Sequence, residues 1–563
     1  MQTTTTIDYT RYVGYDELTN ILHQLQREYQ GLLSLDSIGT THQGRNIWLA
    51  TITNPATGAD ADKPGYWIDA NIHAEEVVGT MVALYTIDKL LAGYGADDRI
   101  TRLLDEQAFY IVPRLNPDAA EQCLTSPYPW CGNGRFAPEQ VQTRGLRPRD
   151  INGDGAITMM RVPDPLGEWR VSSVEPRIMA LRAPDELDSD ARYYRLLPEG
   201  ELPDFDGAEI VIDAPDDGNL NRNFPVNFLP EEFQYGAGRF PLSEPESRAV
   251  VEFFTEHPNI VGAEAYHTHG GVILRPFLNQ GDAEFAGDDF AVYSAIGNMG
   301  VEETDYPLIS VYEEFTDDKS TPRTGSFMEW AFEQLGIITF STELWDVWRI
   351  ADIAEPDYFR FQEFGELDKV RLLHWIDEHL PGGYIDWQPF DHPQLGPVEI
   401  GGWVSIWTFR NPPGAMIEAE CEKNFRFTLR HAACAPSLAM SLVTTEPLGA
   451  DLYRIRAVVE NRGYLPTNVS AQAIKQKVAK PVLATISLDG IELVMGEPTQ
   501  ALGHLAGRSE RRSEWSPWGH AWGSPRRTAE WLVRGPEAAM VTIEARSEKA
   551  GAASMTVELE GVG

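Results

Sequence analysis

A chain of 563 residues, of which 42% are hydrophobic, can bury more than one core, so we expect at least two domains. Its formal net charge of −39 disfavours nucleic acid and anionic membranes as partners. No run approaches the ~18 apolar residues of a membrane span, and the first residues lack the basic and apolar segments of a signal peptide. We therefore predict a globular, cytoplasmic protein without nucleic-acid or membrane partners.

The charge is unevenly distributed along the chain. Residues 397–563 contain 18 acidic and 18 basic residues, so the whole excess of negative charge lies in residues 1–396. This change indicates a domain boundary near residue 397. Acidic surfaces more often keep a protein in solution than recognise a substrate, so the charge predicts no substrate.

The first part of the chain has the pattern of an α/β domain. Apolar residues recur at helical spacing in residues 15–30, and the helix after residue 76 is apolar over most of its circumference, which is typical of a helix packed on a sheet. The predicted strands cover residues 32–38, 46–53, 66–70 and 109–112.

Residues 119–215 lose this periodicity, and we interpret them as a long insertion over one face of the core, a common position for functional loops. Asp150, Asn152 and Asp154 have the alternating oxygen ligands of a Ca2+ loop, with Gly155 at the sharp turn. The twelfth position, which should be a bidentate glutamate, is Arg161. An Asx-rich turn is therefore the alternative to a calcium site.

Regular structure returns after the insertion. Ser243 and Glu246 have the spacing of a capping box at the start of a helix, with Pro245 in its first turn. A Pro-Gly-Gly sequence at 381–383 ends this domain, which we place at residues 1–385. Its other predicted elements are strands at 260–266 and 337–343 and helices near 284–299, 325–335 and 359–379.

Residues 397–563 alternate in short strands separated by Gly, Asn and Pro turns, for example at 452–460 and 482–488. This pattern is typical of a β-sandwich. The predicted fold is therefore an α/β domain with a mixed central sheet flanked by helices, followed by an all-β, sandwich-like domain.

The chain contains four cysteines, too few for a disulfide scaffold of this length. Cys123 and Cys131 are close enough in sequence to pair, as are Cys421 and Cys434. Free thiols fit a cytoplasmic protein better, so the sequence leaves both pairings open.

The strand at 66–70 is followed by a sequence that predicts half of a zinc site. His73 and Glu76 are three residues apart where a strand gives way to a helix, a spacing that directs both side chains to one point. Both are ordinary zinc ligands, and a catalytic site with three protein ligands needs one more from elsewhere. The alternative is a solvated helix start, in which Glu75 and Glu76 interact with the positive end of the helix dipole.

The order of several motifs in residues 8 to about 380 resembles that of the zinc carboxypeptidase (funnelin) family of metallopeptidases. His73 and Glu76 match the family's His-x-x-Glu zinc pair, and His267 in Tyr-His-Thr-His matches its third ligand. His269, two residues along the same strand, is the alternative. The resemblance implies one catalytic Zn2+ per chain and hydrolysis of the C-terminal peptide bond of a peptide substrate.

The same resemblance assigns roles to five further residues. Glu343 matches the general base that accepts a proton from the attacking water. Asn221 and Arg222 match the pair that holds the C-terminal carboxylate of the substrate, because a planar guanidinium can bind a carboxylate through two hydrogen bonds. Arg161 matches the arginine that stabilises the oxyanion. Met328 matches the floor of the pocket for the C-terminal side chain, which implies a preference for apolar residues there.

Two positions depart from the family pattern. Thr321 stands where the family has a mobile active-site tyrosine, so Lys319, Arg323 or Tyr312 would have to replace it, or nothing does. Glu75 stands where the carboxypeptidases have an arginine used by extended substrates. A negative charge there disfavours acidic groups upstream of the scissile bond.

These departures leave two alternatives to a metallocarboxypeptidase. The first is a zinc amidohydrolase that acts on non-standard amides or peptidoglycan peptides with the same site. The second is an inactive peptidase fold in which the tryptophan-bearing C-terminal domain binds a partner or glycan, although a role in the core is the simpler explanation of these side chains. The tryptophans concerned are Trp403, Trp407, Trp515, Trp518 and Trp522.

Overall fold

The computed structural model describes most of the chain, and its elements are numbered here in chain order. Within the described residues, every helix is too short or too polar to cross a membrane. The described ranges are 6–127, 132–135, 145–186, 192–203, 205–207, 210–212, 218–316, 318–321, 323–353, 364–449, 451–510 and 523–560.

The first helices and strands follow the predicted pattern closely. Helix α1 buries only one face, whereas α2 is buried around most of its circumference because it lies between the sheet and another helix. These elements are α1 (Tyr15–Glu28), β1 (Leu33–Thr40), β2 (Asn46–Ile52), β3 (Gly65–Ala70), α2 (Val78–Gly93), α3 (Asp98–Glu106), β4 (Ala108–Val112) and α4 (Pro117–Thr125).

The predicted insertion contains strands where the sequence pattern suggested a loop. These strands have only two to six residues each, too few for their periodicity to be recognised in the sequence. They are β5 (Arg147–Pro148), β6 (Met159–Pro163), β7 (Trp169–Val171), β8 (Met179–Leu181), β9 (Tyr193–Pro198) and β10 (Gly200–Glu201).

The next part of the chain completes the central sheet. Its elements are α5 (Pro245–Glu256), β11 (Ile260–Thr268), β12 (Val272–Arg275), α6 (Asp289–Thr304), β13 (Leu308–Ser310), α7 (Val311–Glu314), α8 (Phe327–Leu335), β14 (Ile338–Leu344), α9 (Val347–Ile350) and α10 (Glu366–His379). They are followed by β15 (Tyr384–His392), β16 (Gly396–Trp403) and α11 (Gly414–Ala432).

The central sheet has eight strands in the order β1-β2-β4-β3-β11-β14-β12-β13. The neighbours β4, β3, β11 and β14 run parallel, while β1, β2 and β12 add antiparallel pairs. Helices α1, α2, α3 and α11 cover one face, and α5 and α8 cover the other. Every residue of β3, β4 and β11 is buried, as expected for parallel strands covered on both faces. The predicted mixed sheet flanked by helices is confirmed.

The structure differs from the prediction around residue 397. Strands β15 and β16 pair with the insertion in a six-stranded antiparallel sheet of order β15-β16-β6-β9-β7-β8. Helix α11 packs on α2 and α6 of the first domain. Strand β16 and helix α11 therefore pack with the first domain, although Phe427 of α11 also shares a buried cluster with Leu465 and Val469. The change in charge at residue 397 does not coincide with a change in packing.

The last part of the chain forms the predicted β-sandwich. Two four-stranded antiparallel sheets, β17-β18-β22-β20 and β21-β19-β23-β24, share one apolar core that contains the buried Trp531. The elements are β17 (Leu438–Gly449), β18 (Leu452–Asn461), α12 (Ala471–Lys475), β19 (Val482–Ile486), β20 (Glu492–Met495), β21 (Thr499–Gly503), β22 (Arg526–Arg534), β23 (Met540–Ser547) and β24 (Gly551–Glu558).

Of the tryptophans considered as a binding surface, Trp403 and Trp407 pack within the first domain. The ring of Trp403 contacts that of Tyr384 edge-on at 4.9 Å, and Trp407 stacks on Tyr12 at 5.5 Å. These two side chains thus have packing roles. The other three, Trp515, Trp518 and Trp522, lie outside the described residues.

Cys421 and Cys434 are free, buried thiols. Cys421 lies on α11 and Cys434 directly follows it, so the helical rise of ~1.5 Å per residue separates them by roughly 20 Å, too far for a disulfide. Cys131, the possible partner of Cys123, lies outside the described residues.

The predicted capping box at the start of α5 is wrong. The residue at the N-cap position is Glu244, and its side chain makes no capping hydrogen bond. The Ser243 hydroxyl instead donates to Glu244 Oε1 at 2.8 Å. The carboxylate of Glu246 therefore does not take part in capping the helix.

The segment with the calcium-loop pattern forms an Asx-rich turn. Asp150 accepts the backbone N–H groups of Gly153 at 2.7 Å and Gly155 at 3.0 Å, and the Asn152 amide donates to Asp154 at 2.9 Å. These are the hydrogen bonds of the alternative that the sequence left open, and the calcium prediction gains no support from them.

Glu264 is a buried carboxyl in the middle of β11. Thr342 Oγ1 donates to its Oε1 at 2.5 Å, while Oε2 has no hydrogen-bond partner within the described part of the chain. Burial raises the pKa of Glu264 to about 8. The carboxyl is therefore protonated in the folded protein at neutral pH and ionised in the unfolded chain.

Glu264→Gln should flatten the dependence of stability on pH. The stability that a neutral Glu264 contributes is fully present below the pKa of the unfolded chain and is lost as the pH rises through about 8. Glutamine has no such loss, so the difference in unfolding free energy between the two proteins should change by on the order of a few kcal/mol between mildly acidic and mildly alkaline pH. Denaturant titrations across this range measure it. Parallel profiles for the two proteins would contradict the expectation.

Candidate active site

Three parallel strands end at the same edge of the central sheet, and each contributes to one cluster of polar side chains. β3 is followed by His73 and Glu76, β11 carries His267, and β14 carries Glu343. In the parallel register of β11 and β14, His267 lies directly beside Glu343. Because α/β domains bind ligands outside the carboxyl ends of their strands, the sheet topology itself assembles a candidate site here.

The imidazoles of His73 and His267 converge on the carboxylate of Glu76. His73 Nδ1 lies 2.9 Å from Glu76 Oε1, His267 Nδ1 lies 3.1 Å from Oε2, and the two Nδ1 atoms are 3.3 Å apart. Two ligands of one tetrahedral zinc at ~2 Å are roughly 3.3 Å apart, so these residues could hold a zinc ion with little movement. Burial opposes ionisation of Glu76, yet the two imidazoles hold its pKa well below the ordinary value.

His269, the alternative third ligand, is not part of this converging group. It lines the same cavity, where burial and then the nearby Arg410 lower the pKa of its imidazole to about 3. The geometry thus favours His267 as the third metal-binding residue.

The turn that carries His73 is held by buried asparagines. Asn71 adopts the left-handed conformation with φ 59°, and its amide donates to the carbonyl of His73 at 2.6 Å. The amide of Asn411 donates to the carbonyl of Glu75 at 2.8 Å. On the other side of the imidazole, His73 Nε2 lies 3.2 Å from Asn219 Oδ1, a contact that can fix the orientation of the ring.

Glu343 is poised to exchange a proton near neutral pH. Burial raises the pKa of its carboxyl to about 7, although His267 favours the ionised form. A carboxyl with such a pKa beside a candidate metal centre can accept a proton and later return it.

A cavity of about 290 Å³ opens beside Glu343 and the two histidines. Asn221, Arg222 and Arg323 form a polar part of its wall. The described lining residues include three carboxylates, those of Glu76, Glu343 and Asp346. The apolar part of the wall around Met328 contains Leu274, Leu278, Val311, Phe315 and Met328, while Trp345, Val347, Trp348, Ile353, Phe364 and Phe409 line a second apolar part that flanks Asp346.

Asn221 and Arg222 lie in a short 3₁₀ turn that is fixed against the start of α8. Asn221 Oδ1 accepts the backbone N–H of Phe327 at 2.9 Å, so its amide nitrogen remains as the group that can donate to a substrate carboxylate. The chain at Gly325 passes very close to this turn, and a Cβ there would lie 2.5 Å from the carbonyl oxygen of Arg222. With φ at 72° as well, only glycine fits this position.

Of the residues proposed to replace the missing tyrosine, Arg323 lines the cavity. Thr321 is exposed and donates to Asp318 Oδ2 at 2.8 Å, and the Lys319 ammonium pairs with Glu313 at 2.9 Å on the surface. Neither Lys319 nor Tyr312 is among the described lining residues. Arg323 is therefore the candidate that the geometry retains.

Arg161 does not line the cavity, and the geometry does not support its predicted oxyanion role. It lies on β6, where Nε and Nη2 donate to the carboxylate of Glu399 at 2.8 and 3.0 Å. Its guanidinium also lies over the ring of Trp387, 4.7 Å from the centroid. Strand β6 pairs with β16, and this pairing places Arg161 outside the group of described residues that line the cavity.

Sequence analysis missed Arg410, which lines the cavity from the turn after β16. Its Nη2 lies 3.1 Å from Glu75 Oε1, and its Nη1 lies 4.0 Å from Glu76 Oε1 and donates to the carbonyl of Thr268 at 3.2 Å. The one feature of the sequence that indicates such a residue is Glu75, since a buried carboxylate needs a positively charged partner. Nothing in the sequence identifies which of the 46 lysines and arginines supplies it.

Comparison with known families agrees with this arrangement. The model described as Zinc carboxypeptidase (Peptidase_M14) matches residues 18–152 and 207–359, just over half of the chain. The chain belongs to the zinc carboxypeptidase family of metalloproteases. The matched residues include the three converging side chains and Glu343 but not Arg410. Residues 437–558 match a domain of unknown function (DUF8731).

Individual relatives match parts of the chain. Human carboxypeptidase A6 is 28% identical over 356 residues, which cover 60% of this chain and 61% of the relative. Mouse carboxypeptidase M is 31% identical over 125 residues, which cover 22% of this chain and 28% of the relative. The chain thus spans less than two thirds of the length of these zinc carboxypeptidases. The crystal structure of thrombin activatable fibrinolysis inhibitor aligns with a TM-score of 0.44 and 16% identity, over 75% of this chain and 74% of that one.

Replacing His73 or His267 by alanine should lower the zinc content by about one ion per chain, because two remaining ligands hold zinc poorly. His269→Ala is the matched control, since it removes an imidazole from the same cavity but not from the converging group. Elemental analysis of the purified proteins measures the difference. If zinc persists in His267→Ala but is lost from His269→Ala, the third ligand is His269 and the assignment to His267 is wrong.

Proposed function

We propose that the protein is a zinc-dependent metallocarboxypeptidase that removes C-terminal residues with apolar side chains from peptides. The observation that carries this proposal is the convergence of His73, Glu76 and His267 beside Glu343, at the edge of a cavity that also contains Asn221 and Arg222. Metal ligands, a base and a cationic group for a carboxylate are the parts that this reaction needs.

The proposed roles follow from the positions of the side chains. His73, Glu76 and His267 would hold zinc, which supplies Lewis-acid activation of water and of the substrate carbonyl. Glu343 accepts the proton of the attacking water and delivers it to the leaving amine, a double role that its raised pKa supports. Asn221 and Arg222, with Arg323 nearby, bind the C-terminal carboxylate of the substrate.

Glu343→Gln should retain zinc but lose at least about 10²-fold in kcat, because the carboxamide keeps the shape of the side chain and cannot accept the proton. Zinc content and single-turnover hydrolysis of an N-blocked dipeptide measure the two effects separately. A variant with normal turnover would remove Glu343 from the role of base.

Arg410 is the best-placed residue to stabilise the oxyanion that forms as water attacks. Its guanidinium reaches both Glu75 and the carboxylate of Glu76, so it lies on the metal side of the cavity. A fixed positive charge at that position favours the transition state over the ground state because the negative charge develops only during the reaction.

Arg410→Ala should lower kcat by about 10²- to 10³-fold with zinc retained, the range found when one oxyanion partner is removed. Arg161→Ala, in contrast, should leave kcat near that of the unsubstituted protein and lower only thermal stability, since Arg161 is paired with Glu399 outside the cavity. A loss of kcat in Arg161→Ala but not in Arg410→Ala would instead assign the oxyanion role to Arg161.

A second variant separates catalysis from charge balance. Removal of Arg410 leaves Glu75 buried without its partner, and this alone could distort the site. In the double variant Arg410→Ala/Glu75→Gln the orphan charge is absent. If Arg410 acts on the oxyanion, the double variant stays slow. Recovery of kcat would show that Arg410 only neutralises Glu75.

The apolar part of the wall supports a preference for apolar C-terminal side chains. Burial there contributes about 1.5–3 kcal/mol for a large apolar side chain. A lysine or arginine side chain would be buried without a counter-charge, which costs several kcal/mol.

Met328→Asp should shift the preference toward lysine and arginine, because it supplies the missing counter-charge. Met328→Leu is the volume-matched control and should keep the apolar preference. The measurement is kcat/KM for dipeptides ending in Phe, Leu, Lys, Arg and Glu at moderate salt. If lysine or arginine is already preferred by the unsubstituted protein, the pocket assignment is wrong.

A further inference from the structure

A second group of converging side chains lies outside the cavity, at the start of α5. His42 is in the turn between β1 and β2, Glu244 is the N-cap residue of α5, and Glu246 is in the first turn of that helix. One nitrogen or oxygen atom from each lies within 4.8 Å of the others. None of the three is among the described residues that line the cavity.

Glu246 is the member of this group that lacks a partner. Its relative exposure is 0%, and both carboxylate oxygens are buried without a hydrogen-bond partner in the described part of the chain. Burial, reinforced by the carboxylates of Glu244 and Asp118, raises the pKa of Glu246 to about 8. A buried carboxylate without a donor is rare in folded proteins and requires a cation or a proton to neutralise it.

The neighbouring arginines make their hydrogen bonds to the other two carboxylates, although the charge of Arg135 partly favours the ionised form of Glu246. The Arg135 guanidinium donates to Glu244 Oε1, and Arg45 Nη1 donates to Asp118 Oδ1 at 2.7 Å. Within the described residues, Glu246 thus remains the carboxyl of the cluster that no cationic side chain contacts by a hydrogen bond.

One separation in this cluster resembles those of the first converging group. His42 Nε2 lies 3.0 Å from Glu244 Oε2, which also accepts a hydrogen bond from the amide of Asn133. This separation matches the 2.9 and 3.1 Å between imidazole and carboxylate around Glu76. The side chain of His42 is 29% exposed, so an ion could enter from solvent.

We propose that His42, Glu244 and Glu246 form a second divalent-cation site, distinct from the site of His73, Glu76 and His267. One imidazole and two carboxylates are a ligand set suited to a borderline cation such as zinc, with a water molecule as a further ligand. An ion at this position neutralises Glu246 and links the β1–β2 turn to the first turn of α5.

The site also has a connection to the turn that carries Arg222. The backbone N–H of Glu244 donates to Asn223 Oδ1 at 3.2 Å, and the Asn223 amide donates to the hydroxyl of Ser243 at 3.0 Å. Asn223 directly follows Arg222. An ion that fixes the start of α5 therefore stabilises this turn. If Arg222 binds the substrate carboxylate, as the proposed function has it, the ion also supports substrate binding.

The test uses the full chain, stripped of metal by a chelator and titrated with zinc. The unsubstituted protein should bind two zinc ions per chain, and His42→Ala should bind one. The double variant His73→Ala/His267→Ala should also bind one zinc ion. Adding His42→Ala or Glu246→Gln to this double variant should abolish zinc binding. His374→Ala, which removes an exposed imidazole on α10, is the control and should leave the number unchanged.

Glu246→Gln keeps the volume of the side chain, and His42→Ala changes a residue at the surface. Both variants should therefore fold, which circular dichroism checks. The metal content is independent of turnover, so an inactive protein that binds two zinc ions would contradict the proposed function and support this site. The site is overturned if the unsubstituted protein binds a single zinc ion. It is also overturned if His42→Ala, in either background, binds as much zinc as its parent.

Discussion

The parallel pairing of β11 with β3 and with β14 is the constraint on which the site depends. It places the ends of three strands side by side, so that residues separated by 191 positions in sequence meet within hydrogen-bond distance. Because every residue of β3 and β11 is buried, a shift of register would cost much apolar packing. The precision of the site thus derives from the burial of the sheet, and the asparagines around His73 only complete it.

A second constraint is the buried charge of Glu75. The carboxylate is largely shielded from solvent, and Arg410 pairs with it from a segment that follows the family-matched residues. That segment, with β15, β16 and α11, packs against the insertion and against α2. The first domain of this chain is therefore larger than the part that matches the family, and its additional residues reach the cavity.

Much of the site could be predicted because its signals are local. The spacing of His73 and Glu76, and the strand that ends in Glu343, are visible within a few residues, and the helices and strands of the central sheet have clear periodicity. The position of Arg161 could not be predicted, because residues 119–215 interrupt the order of motifs and position in sequence there no longer indicates position in space. Arg410 and the six-stranded sheet could not be predicted, since both depend on pairing between segments more than 200 residues apart. The unpartnered Glu246 was likewise hidden, because its spacing from Ser243 imitates a helix cap.

The central claim is that this cavity hydrolyses a peptide bond next to a free C-terminal carboxylate and needs zinc to do so. The most direct measurement compares an N-blocked dipeptide ending in phenylalanine with its C-terminal amide, using metal-stripped protein before and after addition of zinc. The account predicts hydrolysis only with zinc, and a preference for the free carboxylate of at least about 100-fold, since loss of a charge-assisted pair costs roughly 3 kcal/mol. Equal rates for the two substrates would contradict the carboxypeptidase assignment and favour an amidohydrolase. Full activity of the metal-stripped protein would contradict the role of zinc.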